Sequence, residues 1–581
     1  MKALRLRQLR KEVLAATQAV AMMPPVRLGD YLYSDVERGN FLAQVRVPAC
    51  SPGAVPQLLV DPNLEHGGSD VVGIGPMSVS HDGRRLAFLR DRSGSEAFEV
   101  VARWIDSGEP IALPRLDGVA KAVEWDASGR FLYVSLTQSR DDVMWPCRVV
   151  VVDTETQTWR TVAEEADPSF MLELGATKDR QFIRLGRLAY DCTEQWIVPE
   201  VGAAPVLMRP RQAGRTYTIE HLRGDEWIVF SQNALFRTDS FHGEWNLLHR
   251  DLDMAVADVD CFATRCLLFG YRKSVPCIAS VDLSGRREAR SIDIPSVTIV
   301  APRPNLDISA SVANVMMASP VLPPFPATLD GDMQLHGMPQ GGSAVETLVT
   351  LETSLPITVV RGDPRKPCLL HVYGAYGAIT APEYEPLLQP LLARGWTAAF
   401  AHVRGGGMMG PEYVRDKRQC VEDLNECARR VAGLCSGVVL RAASAGAFTA
   451  AAALLSGQRY RAALLEVPFL NAYEELTARS KSALSQFELR EWGDLETLKQ
   501  LDPTMQLRQG RGAETLPPLL LTCSEADARV AASSVLQFAE LAKARGARVQ
   551  VLKTEGGHGG DGGLVSSAKH AAQLLDFLLS V

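Results

Sequence analysis

From about residue 25 to about residue 342, apolar and polar positions alternate in short runs that are broken at close intervals by turn residues. The segment "PMSVSHDGRRLAFLRDRSGSEAFEVVARWIDSGEP" reads as strand, Asp-Gly, strand, Ser-Gly, strand, Asp-Ser-Gly. "KAVEWDASGRFLYVSLTQSR" followed by "CRVVVVDTETQTWRTV" repeats the plan, and "EWIVFSQNALFRT" and "CLLFGYRKSVPCIASVDLSGRRE" are weaker versions of it. Asp-Gly and Ser-Gly supply the positive φ angles that tight hairpins need. Four-strand units recurring at roughly 40–50 residues predict a β-propeller. Seven blades would take about 45 residues each, of which four or five are recognisable. A pair of β-sandwiches is the alternative.

Beyond residue 342 the period changes. "PCLLHVYGAYG", "RGWTAAFAHVRGGG", "GVVLRAASAGA", "RAALLEVPF", "PPLLLTCSEAD" and "ARVQVLKTEGG" are short apolar strands, separated by helical patterns such as "RDKRQCVEDLNECARRVAGLC" and "VAASSVLQFAELAKARG". Strands apolar on both faces that alternate with helices predict a parallel sheet covered on both sides, with functional side chains at the carboxyl ends of its strands. The proline- and glycine-rich "SPVLPPFPATLDGDMQLHGMPQGGS" is read as the boundary. The expected organisation is a helical segment over 1–24, a propeller over 25–342 and an α/β domain over 343–581.

Composition narrows the partners more than the fold. The chain has 581 residues, 46% hydrophobic and 22% charged, with a net charge of −7. It offers no global basic field and no aromatic-interleaved basic patch for nucleic acid. No apolar run approaches the roughly 20 residues that cross a bilayer. The eleven cysteines are scattered without CxxC pairs, as expected of free thiols in a reducing compartment, and no metal-ligand spacing occurs among them. Five basic residues precede the first acid, Glu12, and charges interrupt any secretory apolar core. An amphipathic helix opening a cytoplasmic protein is the favoured reading; a mitochondrial presequence is its alternative.

The chemistry gathers in the second half. "GVVLRAASAGAFTAAAALL" reads as strand, tight turn, helix, with Ser444 on the turn. A nucleophile elbow of pattern G-x-S-x-G has this form, with small residues two before and two after the serine because strand and helix cross closely. Here they are Ala442 and Gly446. Strand ends in "LLLTCSEADARV" and "VLKTEGGHGGDGG" deliver Asp527 and His558. The order Ser, Asp, His is that of an α/β-hydrolase, and the chemistry it supports is acyl transfer: His558 takes the Ser444 proton and Asp527 orients the imidazole. Taken singly, Ser444 and Asp527 could be helix caps and His558 a loop residue. "RGGGMMG" lacks the spacing of a phosphate loop, and "GGHGGDGG" offers too few ligands for a metal. His371 and His402 lie within apolar strands and read as core. No cofactor is expected.

At these residues the chain resembles the prolyl oligopeptidase family, and within it the oligopeptidase B branch. The resemblance rests on "VYGAYGAITAPEY", "AHVRGGGMMG", "ASAGA", "VPF" followed by "REWG", "DARV" and "GGHGG", with "HDGRRLAF" and "GSEAFEV" in the first half. It implies a seven-bladed propeller on an α/β-hydrolase domain that cleaves short peptides and screens out folded proteins. It also implies the triad Ser444, Asp527 and His558. Tyr373 and the Ala445 N–H would form the oxyanion hole, and Arg529 would bind a substrate carbonyl.

The chain departs from that pattern in several places. Ala442 and Ala447 stand where oligopeptidase B has glycines, and Met408 replaces an acidic residue. Of the two glutamates that would hold a basic P1 side chain, Glu488 is kept and Arg490 replaces the other, which speaks against cleavage after Arg or Lys. The chain is shorter than typical members, so blades trimmed from the propeller are an alternative to seven. A serine peptidase acting on short peptides is the leading expectation. An esterase or thioesterase of the same family, and a catalytically silent binding protein, are its rivals. Nothing in the sequence sets the oligomeric state.

Overall fold

The computed structural model describes residues 2–18, 20, 23–66, 72–138, 145–339, 345–410, 416–478, 488–489, 491–560 and 563–581. Between residues 26 and 336 the strands form seven antiparallel sheets in chain order. Six have four strands; the second has three, Gly73–Val79, Arg85–Asp91 and Glu99–Trp104. Its fourth strand is reduced to a bridge between Arg103 and Pro110, flanked by the bond from Ile111 N–H to Ala102 O. First strands pack against one another between the second and third, the third and fourth, and the sixth and seventh sheets, as neighbouring propeller blades do. The expected propeller is therefore present with seven blades, not trimmed.

Two expectations are corrected. The proline-rich stretch read as a domain boundary carries two strands of the seventh blade, Leu322–Leu329 and Leu335–His336. Leu322–Leu329 pairs with Ala313–Ser319 along one edge, but along its other edge only Thr328 and Leu329 are paired. Pro323, Pro324 and Pro326 thus leave one side of their strand without a ladder to donate to, which proline tolerates. The boundary expected at Gly342 lies outside the described residues. Second, not every cysteine is a free thiol: Cys261 and Cys266 are bonded to each other. The register of their hairpin places them directly opposite, with Cα atoms 4.3 Å apart.

The second half builds one eight-stranded sheet in the spatial order Val345–Val349, Pro356–Val360, Thr397–Ala401, Cys368–His371, Val438–Ala443, Ala462–Glu466, Leu519–Ser524, Val549–Thr554. The first two pairings are antiparallel and the rest parallel. One apolar cluster covers the face bearing helices Lys417–Ala432, Gly446–Leu455 and Ala532–Ala544. A second covers the opposite face with Leu564–Leu578 and the N-terminal helix Lys2–Gln18. Leu9 and Val13 are 2% and 3% exposed. Arg5 pairs with Asp576, and Arg394 grips Glu12 with both Nη atoms. The basic N-terminal segment is thus part of the core of this domain. Among the described residues no helix is long and apolar enough to cross a membrane.

Candidate active site

The strand Val438–Ala443 lies inside the sheet, between Cys368–His371 and Ala462–Glu466, and its apolar residues up to Ala442 are buried. It stops at Ser444, whose φ is +49°, and the helix Gly446–Leu455 follows at once. A non-glycine residue in the left-handed region is held at a cost of order 1–3 kcal/mol. Three backbone bonds hold it: Ser444 N–H donates to Glu466 O at 2.9 Å, and Ser444 O accepts from Phe469 N–H at 3.0 Å and Ala447 N–H at 3.1 Å. Gly446 has no room for a side chain, since a Cβ there would sit 2.8 Å from the Tyr373 Cα. Ala442 and Ala447, the departures from the family pattern, are 3% and 0% exposed and belong to the core cluster. The elbow keeps its shape with both methyls in place.

Asp527 and His558 come to this turn from neighbouring strand ends. Asp527 Oδ1 accepts from the N–H groups of Arg529 at 2.8 Å and Val530 at 2.9 Å, which leaves Oδ2 for His558 Nδ1 at 2.8 Å. His558 Nε2 lies 3.0 Å from Ser444 Oγ. The carboxylate is 1% exposed and the imidazole 11%. With a proton on Nδ1 directed at the carboxylate, Nε2 is the lone pair facing the serine hydroxyl. Such a chain can move the hydroxyl proton to the imidazole and stabilise the resulting charge.

Tyr373 follows the strand Cys368–His371 and is half-buried beside Gly446. Burial first, and the Glu491 carboxylate after it, push its phenol above the ordinary value. It is therefore a protonated donor at neutral pH. Ala445 N–H is in the first turn of its helix, where amides have no intrahelical partner. Glu488 is half-buried and close enough to raise the Tyr373 phenol as well. Arg490 lies outside the described residues. Met408, in the place of an acidic residue, is 4% exposed.

Arg529 is close to the triad but is held by the propeller. Its Nε and Nη2 donate to Glu96 Oε1 and Oε2 at 2.9 and 3.0 Å. The carbonyl of Gly94, in the same propeller loop, occupies the space a Cβ on Gly557 would need, so the loop carrying His558 also rests on this blade. Sequence reasoning passed over Glu96, although "GSEAFEV" was part of the resemblance. It also passed over the buried pair Glu491 and Lys417 and the half-buried Tyr190 that joins them behind Tyr373; no local pattern marks Tyr190. His371, the last residue of its strand, and His402, directly after Thr397–Ala401, are buried, as expected.

Two models of one family match the chain: "Prolyl oligopeptidase, N-terminal beta-propeller domain" over residues 2–239 and "Prolyl oligopeptidase family" over residues 382–581. Prolyl endopeptidase-like of Xenopus laevis is 28% identical over 374 residues, 57% of this chain and 52% of that protein. The chain therefore spans about half the length of that relative. Dipeptidyl aminopeptidase BI of Pseudoxanthomonas mexicana is 24% identical over 573 residues, 90% of this chain and 78% of the relative. Oligopeptidase B from Leishmania major superposes with a TM-score of 0.89 at 19% identity, covering 99% of this chain and 89% of that one. A propeller of seven blades, a sheet of α/β-hydrolase order and two matching models agree: the chain belongs to the prolyl oligopeptidase family.

Proposed function

We propose that this chain is a serine peptidase that hydrolyses short peptides through an acyl-enzyme on Ser444. The observation that carries the reading is the position of His558, with Nε2 3.0 Å from the Ser444 hydroxyl and Nδ1 2.8 Å from the Asp527 carboxylate. In the first step His558 takes the hydroxyl proton as Oγ attacks the substrate carbonyl, and it returns that proton to the leaving amine. Tyr373 O–H and Ala445 N–H donate to the oxyanion, each worth about 3–4 kcal/mol of barrier. Water then repeats the sequence on the ester. The propeller loop bearing Glu96 stands over the triad and limits entry to short chains.

The test is labelling with a fluorophosphonate probe, followed by hydrolysis of peptide and ester substrates sharing one acyl group. Labelling that maps to Ser444 and vanishes in Ser444→Ala, with cleavage of both substrates, is expected. Labelling with cleavage of the ester alone would make the protein an esterase, and no labelling would end the hydrolase reading.

A further inference from the structure

Behind Tyr373 lies a buried ion pair that the triad does not use. Lys417 and Glu491 are 2% and 0% exposed, and the Lys417 ammonium donates to Glu491 Oε1. The same ammonium donates to the carbonyl of Gly374 at 3.2 Å and stands 4.9 Å from the centre of the Trp492 ring. Gly374 is the residue after Tyr373 and has a φ of +65°; a Cβ there would lie 2.6 Å from Val403 Cγ2. The second carboxylate oxygen, Oε2, accepts from the hydroxyl of Tyr190. Tyr190 belongs to the propeller, in the hairpin joining Ile183–Leu188 to Thr193–Val198 of the fourth blade.

We infer that Tyr190 is a propeller-borne positioning residue, which acts through Glu491 and Lys417 to hold the Tyr373–Gly374 turn in place. This inference rests on the proposed role of Tyr373 as an oxyanion donor. The carboxylate shares its charge between two donors. Without the Tyr190 hydroxyl, Glu491 draws the ammonium more strongly to itself, and the longer bond from Lys417 to Gly374 is the one that yields. The turn then loosens, and the phenol of Tyr373 with it. Buried ion pairs contribute little net stability but can hold one arrangement against others, and here the arrangement is that of the Tyr373–Gly374 turn packed against Gly446 of the elbow.

The test is Tyr190→Phe in the full-length protein, which removes one oxygen atom. Expected are a kcat about tenfold lower, the scale of one hydrogen bond to a charged group, a KM within about twofold of wild type and an unchanged melting midpoint. Amide hydrogen exchange over residues 373–378 should quicken while helix Gly446–Leu455 is unaffected. Wild-type kcat together with wild-type exchange would overturn the inference. So would a raised KM at constant kcat, which would make Tyr190 a substrate contact. A wild-type protein inert to the fluorophosphonate would sink the hydrolase reading alone, and the exchange comparison would still decide whether Tyr190 holds the turn.

Discussion

Arg529 and Glu96 face each other in a two-pronged ion pair across 433 residues of sequence. The glutamate sits in a loop folded around Asp91, whose carboxylate accepts from the N–H groups of Ser93, Gly94 and Glu96. That loop touches two of the three segments that carry the proposed triad: Arg529 two residues beyond Asp527, and Gly557 one residue before His558. With Arg529 48% and Glu96 22% exposed, the pair is worth about 1 kcal/mol at most. Glu96→Ala is therefore expected to accelerate labelling of Ser444 by a bulky fluorophosphonate about two- to fivefold, and to leave a small probe unaffected. Raising the ionic strength should have the same effect on the wild type and little on the variant, because screening removes the same contact. Equal labelling rates for the bulky probe would show that this loop does not limit access.

The carboxylate of Asp527 spends one oxygen on two backbone amides and the other on the imidazole. Asn at this position keeps the shape but turns a donor or a weaker acceptor toward Nδ1, so the imidazole loses both its tautomer and its counter-charge. Asp527→Asn should lower kcat by about a thousandfold or more with KM nearly constant. Steady-state kinetics on a chromogenic substrate measure this, and a kcat within tenfold of wild type would place the orienting group elsewhere.

Glycine at 446, which keeps the usual motif, and alanine at 442, which departs from it, are not equivalent positions. A methyl on residue 446 would press on the backbone of Tyr373, whereas the methyl already at 442 is packed without displacing the elbow. Gly446→Ala is expected to cost about 1–3 kcal/mol by overpacking and to lower kcat, since the residue it moves is the proposed oxyanion donor. Restoring glycine at 442 should change activity less than twofold. Calorimetry and kinetics on the two variants decide the matter together.

Leu9 and Val13 insert into the same cluster as Leu574 and Leu578. Leu9→Ala should destabilise the protein by about 2–4 kcal/mol, the cost of a cavity in a packed core. Chemical denaturation measures it. A variant as stable as wild type would mean that the helix Lys2–Gln18 is an appendage.

What the sequence made legible follows from the range of the forces involved. Strand and helix periods, and the order Ser444, Asp527, His558, are local or nearly so, and they were readable. The seventh blade was not, because its prolines imitate a linker and only the pairing of Leu322–Leu329 with Ala313–Ser319 shows that they lie along a largely unpaired side. The second blade is short of a strand for a related reason: Pro110 makes one bridge where a ladder would be. Contacts between the two halves were invisible, since nothing near Tyr190 or Glu96 records that Glu491 or Arg529 will be opposite. The cysteines misled because composition carries no register, and register is what sets Cys261 against Cys266.

Acid should unfold the protein through two histidines that never reach solvent. His371 stacks on Phe400 at 4.6 Å, and His402 Nε2 is 2.8 Å from Thr358 Oγ1. Burial holds both at about 3, with the Arg441 charge adding to the effect at His371. An unfolded histidine binds its proton near 6.5, so below that pH the unfolded state takes up protons the folded state refuses. The stability contributed by keeping both rings neutral is complete above pH 6.5 and falls as the pH drops toward 3. At pH 4.5 the two sites together cost roughly 5 kcal/mol. Asp502 works in the opposite direction. Burial raises its carboxyl from 3.8 to about 6, and its protonation between those values returns roughly 2 kcal/mol. The melting midpoint is therefore expected to fall steadily from pH 6.5 to 4.5. His371→Leu should flatten that fall, and Asp502→Asn should steepen it. Calorimetry across this range separates the contributions, and an unaltered slope in His371→Leu would move the acid sensitivity to other groups.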